Sequence, residues 1–224
     1  MLSTGNDIIS LAGINIPRTK QVQFYNKVIS SAELELYHTS GVIQMPFEIF
    51  VWLAWSVKES AFKYLQRHQP DLTFSPRKIN IRRIKFPEKN DVKNFESHQY
   101  ETTSFQKEFA CHGIVRCSNL FFHFRSVVHD DLIFTIVDSD GSFGNILWGI
   151  KTIELSDHKS QSAAVRAFLL QRLNVLFPNC KLKIDKTLSG CPVVLNGTEE
   201  LGIPVSLTHH RNFIAYSFLL NDCC

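Results

Sequence analysis

The strongest hydrophobic signal in the chain lies just after Pro46. The run "FEIFVWLAWSVKESAFKYLQRH" is almost wholly apolar before charge enters it. Proline is favoured at the first position of a helix, so the pattern predicts a helix from 46 to about His68. At 3.6 residues per turn Phe50, Ala54, Val57, Ala61 and Tyr64 form one core-facing stripe. Trp52, Ser56, Glu59 and Lys63 form a second stripe on roughly the opposite side. A solvated face does not ordinarily carry tryptophan at its centre, so the second stripe reads as another contact surface with an acid and a base set in it.

On either side the periodicity changes. "GNDIISLAGI" predicts a short N-terminal strand, and "TKQVQFYNKVISSAELELYH" has helical spacing around Phe24, Val28 and Leu34, with a new turn beginning at Ser31 and Glu33. After the turn chemistry of "PDLTFSPRK", the segments "KINIRRIKF", "EFACHGIVRC", "LFFHFRSVV" and "LIFTIV" alternate with period two and predict antiparallel strands. The polar stretch 87–107 is expected to be a long hairpin connection. A strand in "LWGIKTIELS", a helix in "KSQSAAVRAFLLQRLNVLF" and strands in "KLKIDKTL", "CPVVLNG", "IPVSL" and "FIAYSFLL" follow.

This order, strand–helix–strands taken twice, suggests an internal repeat. "SVVHDDLIFTIV" (126–137) resembles "SLTHHRNFIAYS" (206–217), and "GNDIIS" echoes "GIKTIELS" with Lys151 in place of Asp7. The expected fold is therefore α+β, a pseudo-dimer of two similar units, each a long helix packed on an antiparallel sheet. Residues 1–147 form one half and 148–224 the other, with the helices at 46–68 and 160–176 equivalent.

Composition narrows the function classes. The 224 residues are 44% hydrophobic and 20% charged, ordinary for a soluble globular protein. A net charge of +3 is too weak to announce a nucleic-acid binder, so an anionic partner must be met by local clusters. No apolar run reaches the roughly 18 residues that cross a bilayer. Asn6 and Asp7 sit where a secretion signal needs basic and apolar residues, which favours a cytoplasmic protein. None of the six cysteines forms a CxxC pair, and the spacing of Cys111, His112 and Cys117 does not suit zinc.

The helix motif carries the chemistry. Glu59 and Lys63 read at first as an exposed i,i+4 ion pair contributing a few tenths of a kcal/mol. Asp7, flanked by Ile8 and Ile9, is the other acid set among apolar residues. Two carboxylates from separate elements, with positions left for water and phosphate, suit Mg2+. A lysine one turn away would neutralise phosphate charge or serve a proton transfer. Together they suggest phosphoryl chemistry. The plain alternative is an α+β structural domain with a surface ion pair.

"GNDII" followed some fifty residues later by "WSVKESAFK" resembles the paired signature of the 4'-phosphopantetheinyl transferases, the holo-acyl-carrier-protein synthase superfamily. "FYNKVISSAELELYH", "SGCPVVLNG" and "IPVSLTHHRNFIAYSF" resemble further segments of that family. The resemblance implies that Asp7 and Glu59 bind Mg2+ and that Lys63 contacts phosphate and assists proton movement. It implies that Lys58 approaches the same phosphates or the nucleotide end, that Thr208 and His209 hold the phosphates from the other half, and that Arg166 adds a nucleotide contact. A serine of an apo acyl or peptidyl carrier protein would attack coenzyme A, take its 4'-phosphopantetheine arm and release 3',5'-adenosine bisphosphate. The enzyme would be cytoplasmic, in a biosynthesis such as that of fatty acids, and monomeric, with neither nucleic acid nor membrane as partner. Three features depart from the pattern: Ile9 stands where longer members carry a third acid, Cys191 where a lysine is usual, and Asn6 beside Asp7 is unusual but harmless; the acid-bearing half also comes first, as in the short single-repeat members. Ile9 and Cys191 keep open the alternative of a non-catalytic relative that binds coenzyme A or a carrier protein.

Overall fold

The structure is a computed structural model that describes residues 3–39, 45–86, 99–102, 110–154 and 157–220. The N-terminal strand is β1 (Gly5–Ser10). Short helical turns α1 (Ile16–Thr19) and α2 (Val22–Tyr25) follow, then α3 (Ser31–Thr39) and the long helix α4 (Phe47–Gln66). Next come β2 (Ile79–Lys85), β3 (Gln99–Thr102), β4 (Cys111–Cys117), β5 (Leu120–Val128) and β6 (Leu132–Asp138). The remainder is β7 (Ile146–Thr152), α5 (His158–Leu176), β8 (Leu182–Lys186), β9 (Pro192–Asn196), β10 (Glu199–Glu200), β11 (Val205–His210) and β12 (Phe213–Leu219). No helix among the described residues is long and apolar enough to cross a membrane.

Local chemistry accounts for the helix ends. Asp157 caps α5 by accepting the Ser160 N–H at 2.9 Å. Ser30 and Glu33 form a reciprocal capping box on α3: the Ser30 N–H donates to Glu33 at 2.7 Å and the Glu33 N–H to Ser30 Oγ at 3.3 Å.

All sheet pairings are antiparallel. The first sheet has the order β1-β6-β5-β4-β2, the second β11-β12-β7-β3, and β10-β9-β8 form a small third sheet. Alternation along each strand distributes the side chains over three cores. Ile9, Ile79, Ile81, Val115 and Phe124 pack beneath α4. Ile8, Phe134 and Ile136 of the first sheet meet Trp148, Ile150, Phe213 and Ala215 of the second. Leu147, Ile214, Tyr216 and Phe218 pack on Val165, Phe168 and Leu169 of α5. The layers therefore run α4, first sheet, second sheet, α5.

Three expectations need correction. Part of the stretch read as a hairpin connection is a strand: β3 pairs with β7, Tyr100 opposite Ile150. The rest of that stretch lies outside the described residues. β7 begins at Ile146, so the proposed division at 147/148 would cut a strand, and β3 carries residues of the first half into the second sheet. Finally, α4 does not have two separate stripes. Val51, Leu53, Ser56, Lys58, Ser60 and Leu65 are buried as well, because α3, β2 and the sheet enclose the helix on most sides.

The edge of β1 opposite β6 is satisfied in an unusual way. Three alternate N–H groups, of Asn6, Ile8 and Ser10, donate to Ser206 Oγ (3.1 Å), Thr208 Oγ1 (3.3 Å) and His210 Nδ1 (2.8 Å). Each pair is 200 positions apart in sequence. A buried edge strand must place these donors somewhere, and here side chains of β11 stand where another backbone would normally lie. All six residues of β1 are buried as a result. His210 presents a ring lone pair to an N–H, so its ring is neutral with the proton on Nε2.

On the other face α4 lies directly on β1. A Cβ at Gly5 would stand 2.0 Å from Ser60 O and 2.7 Å from Tyr64 N, both backbone atoms that have no room to yield. Gly5→Ala should push α4 off β1 and lower stability by at least about 2 kcal/mol, in line with overpacked cores. Gly144→Ala meets nothing within 4 Å and should be close to neutral. Thermal denaturation of the two variants checks this; equal melting temperatures would show that the helix has slack.

Candidate active site

Asp7 is two residues beyond Gly5 and so points to the same side of β1, toward α4. Its Oδ1 accepts from Lys63 Nζ of α4 (3.1 Å) and from Thr208 Oγ1 of β11 (3.1 Å). Thr208 already accepts the Ile8 N–H, so its only proton goes to Asp7. Lys63 also pairs with Glu59 at 3.2 Å, and Trp55 Nε1 donates to the other Glu59 oxygen at 2.7 Å. Asp7, Glu59, Lys63 and Thr208 thus form one connected cluster, although Thr208 is 201 positions from Asp7. Beneath it the small polar residues Ser56, Thr135 and Ser126 are linked by hydrogen bonds of 3.0 and 2.8 Å, so the close contact of helix and sheet buries no orphaned hydroxyl there.

The electrostatics set the two acids apart. Burial pushes the Asp7 carboxyl up to about 7, helped by the Glu59 charge and opposed by Lys63 and Thr208. Burial acts on Glu59 in the same direction, but Lys63 and the Trp55 N–H outweigh it and hold Glu59 below the usual carboxylate range. For Lys63, burial is outweighed by its two carboxylates, and its ammonium is stabilised. One ammonium therefore serves two acids, and Asp7 Oδ2 is buried with no hydrogen-bond partner. Such an oxygen is a natural ligand for a hard cation. No group of three or more His, Cys, Asp or Glu able to hold a metal occurs among the described residues. Mg2+, however, is commonly held by one or two carboxylates plus water and phosphate, which Asp7 and Glu59 fit.

A rim of basic side chains adjoins the cluster. His209 lies edge-on to His158 of α5, ring centroids 4.7 Å apart. Burial holds it below its ordinary value, and the charges of His158, Lys63, His210 and Lys186 add to the effect. His129, the counterpart suggested by the repeat, lies in the turn after β5, whereas His209 is inside β11 opposite Ile214.

Lys58 and Arg166 do not join this group. Lys58 is fully buried on another side of α4, donating to Val28 O (2.6 Å) and Glu33 (2.8 Å). Glu33 in turn accepts from Ser30 and from the Ile81 N–H (2.7 Å), so the pair ties α3, α4 and β2 together in the core. The expectation that Lys58 approaches phosphates is corrected on this point: adjacent residues on a helix point about 100° apart, so Lys58 and Glu59 face different surroundings. Arg166 sits on α5 within electrostatic reach of Asp185 on β8. Sequence reasoning gave no role at the site to Trp55, Lys186 or Arg67. Arg67, one residue beyond α4, donates to Pro192 O (2.8 Å) and Val205 O (2.7 Å) and fixes the helix end against β9 and β11. A tryptophan four residues before a motif acid was the available signal for Trp55.

Asp7 also sets a test on stability. Its folded value lies above the unfolded 3.8, so the folded state holds a proton that the unfolded state has lost, and stability falls as pH rises between the two values. Asp7→Asn removes this penalty. Its melting temperature should match the native protein only below the unfolded value of 3.8 and exceed it by a margin that grows as pH rises to about 7, reaching several degrees near about pH 8. Parallel pH profiles for the two proteins would contradict the assignment.

The described cysteines Cys111, Cys117, Cys180 and Cys191 are free thiols, and burial pushes Cys111 up to about 12 and raises Cys117 as well, so neither of those two is an activated nucleophile by environment. Comparison with protein families matches residues 3–115 to the 4'-phosphopantetheinyl transferase superfamily, a span that includes β1, α4 and the acids Asp7 and Glu59. No curated protein and no solved structure matches the chain. The family match covers just over half of the sequence, and the chain belongs to the 4'-phosphopantetheinyl transferase superfamily, whose members use coenzyme A to modify carrier proteins.

Proposed function

We propose that the protein transfers the 4'-phosphopantetheine arm of coenzyme A to a serine of an apo acyl or peptidyl carrier protein in a Mg2+-dependent reaction, releasing 3',5'-adenosine bisphosphate. The observation that carries this reading is the buried, unpartnered Asp7 oxygen beside Glu59 and Lys63. Asp7 and Glu59 would hold the Mg2+, which when bound supplies charge neutralisation at the pyrophosphate. Lys63 donates to a phosphate oxygen, its Nζ kept protonated by the two acids. Glu59 is the candidate to accept the serine proton: it is ionised, and its side chain is 28% exposed against 4% for Asp7. Thr208 orients Asp7, and His209 with Lys186 receives the phosphates from the second half.

We further infer that the two halves form a pseudo-dimer with one active site. What supports this is the strand order. β1 pairs with β6 and β6 with β5, while β7 pairs with β12 and β12 with β11, each first strand leading to its long helix. Gly149 and Lys151 stand where β1 has Gly5 and Asp7. Lys151 lies over the Phe168 ring of α5 at 5.7 Å, so that half offers a cation where the other offers a carboxylate.

The test is mass spectrometry of apo carrier proteins incubated with the enzyme, coenzyme A and Mg2+. Asp7→Ala and Glu59→Gln should each lower kcat/KM by at least about a hundredfold, the usual effect of losing a group that stabilises charge in the transition state. His209→Ala should raise the KM for coenzyme A more than His129→Ala does. Turnover near the native level in either acid variant would remove the mechanism. Binding of coenzyme A without any carrier modification would favour a non-catalytic binding role, for which Cys191 in place of a lysine is the motivating residue.

A further inference from the structure

Of the side chains that close the edge of β1, one differs in kind. Ser206 and Thr208 accept through hydroxyl oxygens, which keep a lone pair at any pH. His210 accepts the Ser10 N–H at 2.8 Å through ring Nδ1, and a ring nitrogen accepts only while it carries no proton. Protonation would set one N–H against another. The last rung of the seam therefore exists in a single charge state of a single side chain.

Its surroundings make that rung sensitive and separable from the rest. Ser10 is buried, and its Oγ has no hydrogen-bond partner. An unsatisfied buried hydroxyl destabilises the closed form, and water would satisfy it on opening. The His210 ring lies against Gly13, where a Cβ would stand 3.2 Å from its Cε1 and 2.4 Å from Arg211 Nε. Each strand is also held from behind. Ser10 pairs with Leu132 of β6, and the Leu11 N–H donates to Asp131 O at 2.8 Å. Beyond β11, Gln161 Nε2 donates to Arg211 O at 2.5 Å and the Ile153 N–H to Asn212 O at 2.7 Å. Among the described residues, the Ser10–His210 hydrogen bond is what joins the two strands at this end.

The charges facing the ring are Arg211 in its own turn, His209 beside it on β11 and Glu59 on α4. Leu11, Ala12 and Gly13 bring none, nor does Phe213 opposite it on β12, and Asp7 lies on the other face of β1. Burial first, and Arg211 next, hold His210 below its ordinary value, with Glu59 opposing them. The sign follows. A released ring binds a proton more readily than a held one, so acid favours release and neutral pH favours the closed rung.

We propose that His210 is an acid-operated latch: neutral, it holds the Ser10 end of β1 on β11, and protonated, it lets that end go while the Ser206 and Thr208 rungs stay closed. The latch does not rest on the transfer reading, because the seam joins the same two strands whatever the Asp7 cluster binds.

Amide hydrogen exchange of the native protein, resolved by NMR and expressed as protection factors at about pH 7 and about pH 5, tests this. Protection at Ser10 is expected to fall roughly tenfold at the lower pH, as for a histidine that ionises near about 6.5 when released and well below that when held. Asn6 and Ile8, whose acceptors are hydroxyls, should change by less than about twofold. His210→Asn places an oxygen where Nδ1 stood and does not titrate, so its Ser10 should be equally protected at both pH values. If that variant does not fold, the comparison of Ser10 with Asn6 and Ile8 in the native protein decides alone. Equal native protection of Ser10 at both pH values, a parallel loss at Asn6, Ile8 and Ser10, or native pH dependence in His210→Asn would overturn the proposal.

Discussion

The active-site region depends on the lateral seam between β1 and β11. Side chains of Ser206, Thr208 and His210 accept the three N–H groups on the free edge of β1. Asp7 lies between two of those donors, so whatever fixes the seam fixes its carboxylate. Thr208 links the two functions: its hydroxyl oxygen accepts from the Ile8 backbone and its proton goes to Asp7. Each buried hydrogen bond of this kind contributes about 1 kcal/mol net, but a donor left unpaired costs more than that. The register of the seam is therefore well defined, and the chemistry inherits it.

The other wall of the site is α4, and its approach is set by the absence of a side chain at Gly5. The small hydroxyl residues Ser56 and Ser60 continue the close contact. This proximity desolvates Asp7 and raises it to about 7, a cost in stability borne at the site itself. Proteins commonly give up stability where function needs a poorly satisfied group. The cluster in which one lysine serves two acids is such a place. By contrast, the Lys58–Glu33 pair one position away is fully buried and satisfied on every side, and its role is to hold the helix in place.

Much of this was legible in the sequence, for identifiable reasons. The long helices were visible because their apolar periodicity runs over many turns, and Pro46 marks the start of the first. Asp7, Glu59 and Lys63 stood out as charges among apolar neighbours. What escaped depended on partners distant in the chain. Lys58 was assigned to phosphate because sequence adjacency to Glu59 does not reveal that the helix turns it toward Glu33. The strand at 99–102 was hidden in a polar segment because its partner is β7, some fifty positions further along the chain. The serine–histidine similarity between 126–129 and 206–209 did not correspond in space, since the first hairpin ends its pairing earlier and leaves His129 in the turn. The bulge in β2 between Ile81 and Arg83 was likewise invisible to a period-two reading.

The most direct measurement is calorimetric titration of coenzyme A in the presence of Mg2+ into the native protein and into Thr208→Val and Thr208→Ser. Valine keeps the shape of threonine but removes both the donor to Asp7 and the acceptor for the Ile8 N–H. If the seam positions the site, Thr208→Val should lose at least about tenfold in affinity while Thr208→Ser remains within about twofold. Native affinity in a folded Thr208→Val variant would show that Asp7 is positioned without β11, and the account of a site built by both halves would be wrong.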